Sequence, residues 1–191
     1  MDAAVLVPVK AFSRAKLRLA PALDGPAREA LARRMAAGVV AAAAPLPVAV
    51  VCDDVEVAAW AVHHGAAVVW APGRGLDGAV ADGVEHLGAL GFEQVVVAHG
   101  DLPLAAALAG LAGIPGVTLV PDRRDDGTNV AVVPPASRFR FAYGPASFER
   151  HRAEAQRLHL PLRVVRAPAL AWDVDHPADL DFPTRPATPC S

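Results

Sequence analysis

Cysteine is almost missing from this 191-residue chain, which holds two, Cys52 and Cys190. Two thiols so far apart in sequence build neither a disulfide framework nor a zinc knuckle, so a reducing cytoplasm is the expected location. A surplus of positive charge is missing as well: 18 Lys and Arg stand against 20 Asp and Glu, for a net charge of −2. That removes the electrostatic footprint of sequence-independent nucleic-acid binding, and no nucleic-acid partner is expected. No apolar run approaches the roughly 18 residues of a membrane span. The opening segment Met1–Lys10 carries Asp2 where a secretion signal needs cations, and Pro8 interrupts its apolar stretch. No membrane partner is expected either. Three glycine patterns are also lacking: the Gly-x-Gly-x-x-Gly of dinucleotide sites, the P-loop with its Lys-Ser or Lys-Thr, and the Gly-x-Ser-x-Gly elbow of serine hydrolases.

What is present is a core. Apolar residues make up 53% of the chain and charged residues 20%, enough to exclude general disorder and to fill one domain of this length. Val-rich runs at 4–9, 48–52, 67–70, 94–98 and 117–120 read as strands. Helices are predicted between them: 26–44 behind an Asp24-Gly25-Pro26 start, another opened by Asp53-Asp54 and ending near Gly65, and a third over 76–90. Strand and helix in alternation predict an α/β fold: one doubly wound, mostly parallel sheet of Rossmann-like type, with ligands beyond the carboxyl ends of its strands. The second half is less regular. Residues 129–133 and 138–142 read as a hairpin or two separate strands, 145–159 as a helix and 162–166 as a strand, so mixed strand directions are expected there. Residues 1–182 form the domain and 183–191 a Pro-rich tail.

Several segments carry residues suited to chemistry. The loop after the first strand holds four cations in nine residues, Lys10, Arg14, Lys16 and Arg18, where a doubly wound fold would bind a nucleotide phosphate; a solvated basic loop is an equal reading. The fourth strand runs into His99-Gly100-Asp101-Leu102-Pro103. Asp101 there suits Mg²⁺ binding against phosphates, or else caps a following helix. Asp173-Val174-Asp175 puts two carboxylates on one side of an extended segment, where they repel unless a cation lies between them; the alternative has Asp175 capping the turn at Pro177. Asp126-Gly127-Thr128-Asn129 and Tyr143-Gly144-Pro145-Ala146-Ser147 offer a hydroxyl and a helix start that attract an anion, or an ordinary turn and cap. Gly75-Leu76-Asp77 joins the third strand to its helix, where backbone could approach a base or ribose. His63, His64, His86, His151 and His159 share no metal-binding spacing and read as structural or surface residues. His99 is retained as a neighbour of Asp101.

In this order, Pro8-Val9-Lys10, Lys16-Leu17-Arg18-Leu19, Gly75-Leu76-Asp77, Asp101-Leu102-Pro103-Leu104, Asp126-Gly127-Thr128-Asn129, Tyr143-Gly144-Pro145-Ala146-Ser147 and Asp173-Val174-Asp175 resemble the CofC/FbiD guanylyltransferases of coenzyme F-420 biosynthesis. That family is a branch of the MobA-like nucleotidyltransferases, whose fold is that of the nucleotide-diphospho-sugar transferases. The resemblance covers about residues 3–182. It implies transfer of GMP from GTP to the phosphate of a three-carbon acid, phosphoenolpyruvate or 2-phospho-L-lactate, with release of pyrophosphate; a second transferase then joins the product to a deazaflavin alcohol. It also implies two Mg²⁺ ions on Asp101, Asp173 and Asp175, and acid contacts from Thr128, Gly144 and Ser147. GTP contacts fall to Lys10, Arg14, Lys16, Gly75 and Asp77, with Lys10, Lys16 and Asp101 catalytic. The family usually has Asn where this chain has Asp77. Another Mg²⁺-dependent nucleotidyltransferase, a glycosyltransferase of the same fold, and a non-catalytic nucleotide-binding module are the competing expectations.

Overall fold

The computed structural model describes residues 2–182. Seven strands form one sheet in the order β3-β2-β1-β4-β6-β5-β7. They are β1 (Ala3–Pro8), β2 (Val48–Cys52), β3 (Ala67–Trp70), β4 (Gln94–Ala98), β5 (Val117–Pro121), β6 (Thr128–Val133) and β7 (Leu162–Val164). All adjacent pairs are parallel except those of β6, which runs antiparallel to both β4 and β5. Mixed direction in the second half is therefore observed, and it has a consequence for function: the amino end of β6 lies beside the carboxyl ends of β1, β4 and β5.

Strand side chains alternate between faces, so successive residues of β1 feed two different cores. Val5 and Val7 pack with Val50, Val96, Ala36, Val39 and Trp60, under α1 (Gly25–Ala42) and α2 (Val55–His63). Ala4 and Leu6 pack with Val95, Val97, Val80, Val84 and Phe148, under α3 (Gly75–Ala89) and α4 (Ser147–Arg157). Burial on both faces explains why the central strands are almost unbroken Val and Ala. At Gly83 a Cβ would stand 2.6 Å from Leu6 Cδ2, so glycine there lets α3 lie directly on β1. A third cluster joins Leu19, Leu31, Met35 and Val174, with Trp172 and Leu180 packed on it, and seats the segment after α5 (Pro168–Ala171) against α1.

Three expectations differ from the structure. Residues 138–142 form no strand: the Arg140 and Ala142 N–H groups donate instead to side chains of α4, Glu154 Oε1 at 3.1 Å and His151 Nε2 at 2.9 Å. No helix follows Leu102-Pro103, where only a 3-10 turn forms, at Leu108–Leu111; Asp101 is therefore not a helix cap. The turn at Pro177–Leu180 is closed by Asp179, not Asp175. The expected tail, residues 183–191 with Cys190, lies outside the described residues; among those, Cys52 is buried and forms no disulfide. Among the described residues no helix is long and apolar enough to cross a membrane.

Candidate active site

An open cleft of about 830 Å³ lies beyond those carboxyl ends, a size that suits a small-molecule ligand. Its first wall is the basic loop. Two 3-10 turns, Phe12–Arg14 and Leu17–Leu19, flank Lys16, whose φ of 55° is the left-handed conformation that bulky residues avoid. Buried Phe12 and Leu19 anchor the turns. The resulting path turns the Lys16 ammonium inward, 2.6 Å from Asp101 Oδ2 and 3.0 Å from Asp175 Oδ1. Lys10, Arg14 and Arg18 also line the cleft.

The second wall carries the acids. Burial opposes ionisation of Asp101, but the Lys16 ammonium overrides it and holds the carboxyl below the usual range. The same pair raises the Lys16 pKa against its own burial, so the two partners agree in direction. Among the described residues Asp173 has no such partner. Burial, then the charges of Asp101 and Asp175, push its pKa up to about 6. Asp101 Oδ1 and Asp173 Oδ1 are both buried and, among the described residues, accept no hydrogen bond. Among the described residues no three His, Cys, Asp or Glu side chains converge as a ready metal cluster; the three carboxylates share one wall, with an ammonium between two of them. Asp179 shapes this wall from behind. It is fully buried and accepts from the Asp175 and His176 N–H groups and from both Arg123 and Arg124. Arg123 in turn lies 4.1 Å over the Trp172 ring.

The third wall is built on the turn between β5 and β6. The Asp122 carboxylate accepts from the N–H groups of Arg124, Asp126 and Gly127 at 2.9–3.0 Å, which folds the turn around it. A Cβ on residue 127 would stand 2.9 Å from Asp122 Oδ2, so this approach requires glycine. Asp126 accepts from Ala146 N at 3.0 Å and so ties the turn to the loop before α4. Thr128 N donates to Ser147 Oγ at 3.1 Å, bringing the two hydroxyl residues together at the cleft. Asn129 also lines the cleft, and its side-chain amide donates to Leu170 O at 2.9 Å.

Across residues 3–182 the chain matches the family described as "Guanylyl transferase CofC like". This chain belongs to the CofC-like guanylyltransferases. Relatives of this CofC-like chain include the phosphoenolpyruvate guanylyltransferase of Sphaerobacter thermophilus, 36% identical over 95% of this chain and 92% of that protein. That of a Roseiflexus species is 39% identical over 92% of this chain and 82% of its own. A solved Desulfovibrio desulfuricans protein, assigned as a nucleotide-diphospho-sugar transferase, superposes with a TM-score of 0.76. It covers 94% of this chain and 85% of its own at 17% identity, a likeness of fold.

The structure of this CofC-like chain thus brings Lys10, Arg14, Lys16, Asp101, Thr128, Gly144, Ser147, Asp173 and Asp175 to one cleft. Gly75 and Asp77 stand apart: Leu76 between them lines the cleft, while Asp77 Oδ1 accepts from Tyr143 N at 2.8 Å. The side chain therefore neither caps α3 nor stands free, and it braces the loop before α4. Asp122, His151 and Asp179 shape the site without having been singled out as site residues. An acid directly after a Pro-Ala pair, as at Asp179, is the available signal for a turn cap.

Proposed function

We propose that this guanylyltransferase moves GMP from GTP to the phosphate of phosphoenolpyruvate, with release of pyrophosphate. The observation that carries the reading is the division of the cleft: cations on one wall, carboxylates on the second, paired hydroxyls on the third. Family membership and the names of the relatives support the base and the acid.

The donor set fits Mg²⁺. Asp101 Oδ1 and Asp173 Oδ1 are hard oxygen donors, buried and, among the described residues, unpartnered, and Asp173 stands beside the like charges of Asp101 and Asp175. Asp101, Asp173 and Asp175 would hold it. Bound there, Mg²⁺ supplies charge neutralisation between two anionic substrates and polarises the α-phosphate. Lys10, Arg14 and Lys16 hold the triphosphate and offset charge on the departing pyrophosphate. Thr128 and Ser147 donate to the acid and fix its phosphate oxygen for in-line attack on the α-phosphorus. A P–O bond forms to that oxygen as the bond from the α-phosphorus to the bridging oxygen of pyrophosphate breaks. No general base is needed, because the attacking phosphate is already ionised at neutral pH. In coenzyme F-420 synthesis the product would pass to a transferase acting on the deazaflavin alcohol.

The test is pyrophosphate release by the purified protein, with each nucleoside triphosphate offered against phosphoenolpyruvate, 2-phospho-L-lactate and 3-phosphoglycerate. GTP with phosphoenolpyruvate and Mg²⁺ is expected to react, to stop with chelator and to recover with Mg²⁺ or Mn²⁺. Turnover with ATP but not GTP, or none with any acid, would overturn the assignment.

A further inference from the structure

We propose that His151 is a positioning residue that turns the Thr128 hydroxyl proton into the cleft, so that the acid substrate meets two preset O–H donors. The inference rests on the proposed acid site and deepens it.

His151 sits fully buried on α4, among the rings of Phe139, Phe141 and Tyr143 at 5.0–6.1 Å. Its two ring nitrogens have separate partners. The Ala142 N–H donates to Nε2 at 2.9 Å, which makes Nε2 an acceptor. In a neutral imidazole the other nitrogen then carries the proton. That nitrogen, Nδ1, lies 2.9 Å from Thr128 Oγ1, so Nδ1–H donates and the hydroxyl oxygen accepts. Burial keeps the ring neutral, lowering its pKa to about 4. His99 and Arg150 act in the same direction, and Asp77 and Glu154 against it.

A hydroxyl that accepts from one side has its proton left to give elsewhere. The same logic holds at Ser147, whose oxygen accepts from Thr128 N. Two neighbouring hydroxyls on the cleft wall thus each spend a lone pair on an N–H group behind them, leaving O–H donors for a ligand oxygen. A carboxylate or phosphate oxygen matches both O–H donors, whereas a cation or a donor group meets only the one remaining lone pair on each oxygen. The backbone that closes this wall is held by the same device, since Ala142 N is fixed by His151 and Tyr143 N by Asp77.

Side-chain packing alone would also explain a buried histidine, and three variants separate the two roles. His151→Asn retains a donor near the Nδ1 position but not the acceptor for Ala142. His151→Gln offers an acceptor near Nε2 but no donor to Thr128, and His151→Phe removes both. The expected KM for phosphoenolpyruvate rises by ~10-fold or more in the Phe and Gln variants and stays within ~3-fold in the Asn variant. KM for GTP is unchanged throughout. In a Thr128→Val background His151→Phe is expected to add nothing further. An additive effect, or an equal rise in both KM values, would overturn the proposal. Nitrogen NMR of the wild-type ring is a readout independent of turnover. A proton on Nδ1 supports the positioning role even if the acid is not phosphoenolpyruvate, and a proton on Nε2 refutes it.

Discussion

Asp173 and Asp179 lie six residues apart, and their carboxyl groups are driven in opposite directions. Burial beside Asp101 and Asp175 raises the Asp173 pKa to about 6, so at neutral pH its charge works against the fold. Asp173→Asn is therefore expected to raise the melting temperature of the metal-free protein by roughly 2–5 °C. The same change is expected to cut turnover by at least ~100-fold, as are Asp101→Asn and Asp175→Asn. Thermal unfolding in chelator and steady-state assays check the two halves, and a lower melting temperature for Asp173→Asn would sink the first. Burial also opposes ionisation of Asp179, but the His176 and Asp175 N–H groups and the guanidinium groups of Arg123 and Arg124 outweigh it. They hold that carboxyl well below the usual range. Asp179→Ala strands all four donors and is expected to cost about 3 kcal/mol, read as the shift in a denaturation midpoint. Asp101 was legible in the sequence because it follows an apolar strand, and Asp173 with Asp175 because two carboxylates share one side of an extended segment. Asp122 and Asp179 were not, since each acts by accepting from backbone N–H groups that only the folded turn gathers.

Among elements, β2, β3 and β4 match their expected limits: Pro47 and Asp53 flank the first, Gly65 and Pro72 stand one residue outside the second, and Gly91 and Gly100 bracket the third. Residues 138–142 show the limit of the same reasoning. Phe139 and Phe141 alternate with Arg138, Arg140 and Ala142 as in a half-buried strand, and both rings are indeed buried. The Arg140 and Ala142 N–H groups donate to Glu154 and His151 on α4 rather than to a neighbouring strand. Periodicity reports which side chains are buried, not what the N–H groups bond to. The turn between β5 and β6 is the element on which the hydroxyl wall depends. Gly127→Ala would push a methyl into Asp122, and it is expected to raise KM for the acid by ~10-fold or more with KM for GTP unchanged. Equal effects on both substrates would show that the turn does not serve the acid side of the cleft.

For the molecule as a whole, acid is expected to destabilise in two stages. The folded His151 ring titrates near 4 against an ordinary 6.5, so between those values the unfolded chain binds a proton that the folded chain refuses. Stability contributed by the neutral ring is complete above pH 6.5 and falls as the pH drops to 4, by on the order of 3 kcal/mol. Below the ordinary carboxylate pKa of about 3.9, protonation of Asp179 takes over, with the same sign. Asp173 works the other way between about 6 and 3.8, so the comparison that isolates His151 is wild type against His151→Phe. The variant is expected to lose the extra slope between pH 6.5 and 4 in urea midpoints; parallel curves would contradict the burial argument.

The partners of Lys16 lie 85 and 159 residues further along the chain. The second of them arrives only when Val174 seats against Leu19, Leu31 and Met35, after all seven strands have been made. Synthesis therefore delivers the scaffold before the chemistry. A ribosome-bound chain that has emerged only as far as β7 has the strands of its sheet but lacks a wall of its cleft. Its Lys16 has Asp101 alone as a partner, and triphosphate binding at that stage would meet a surface short of two of its three acids.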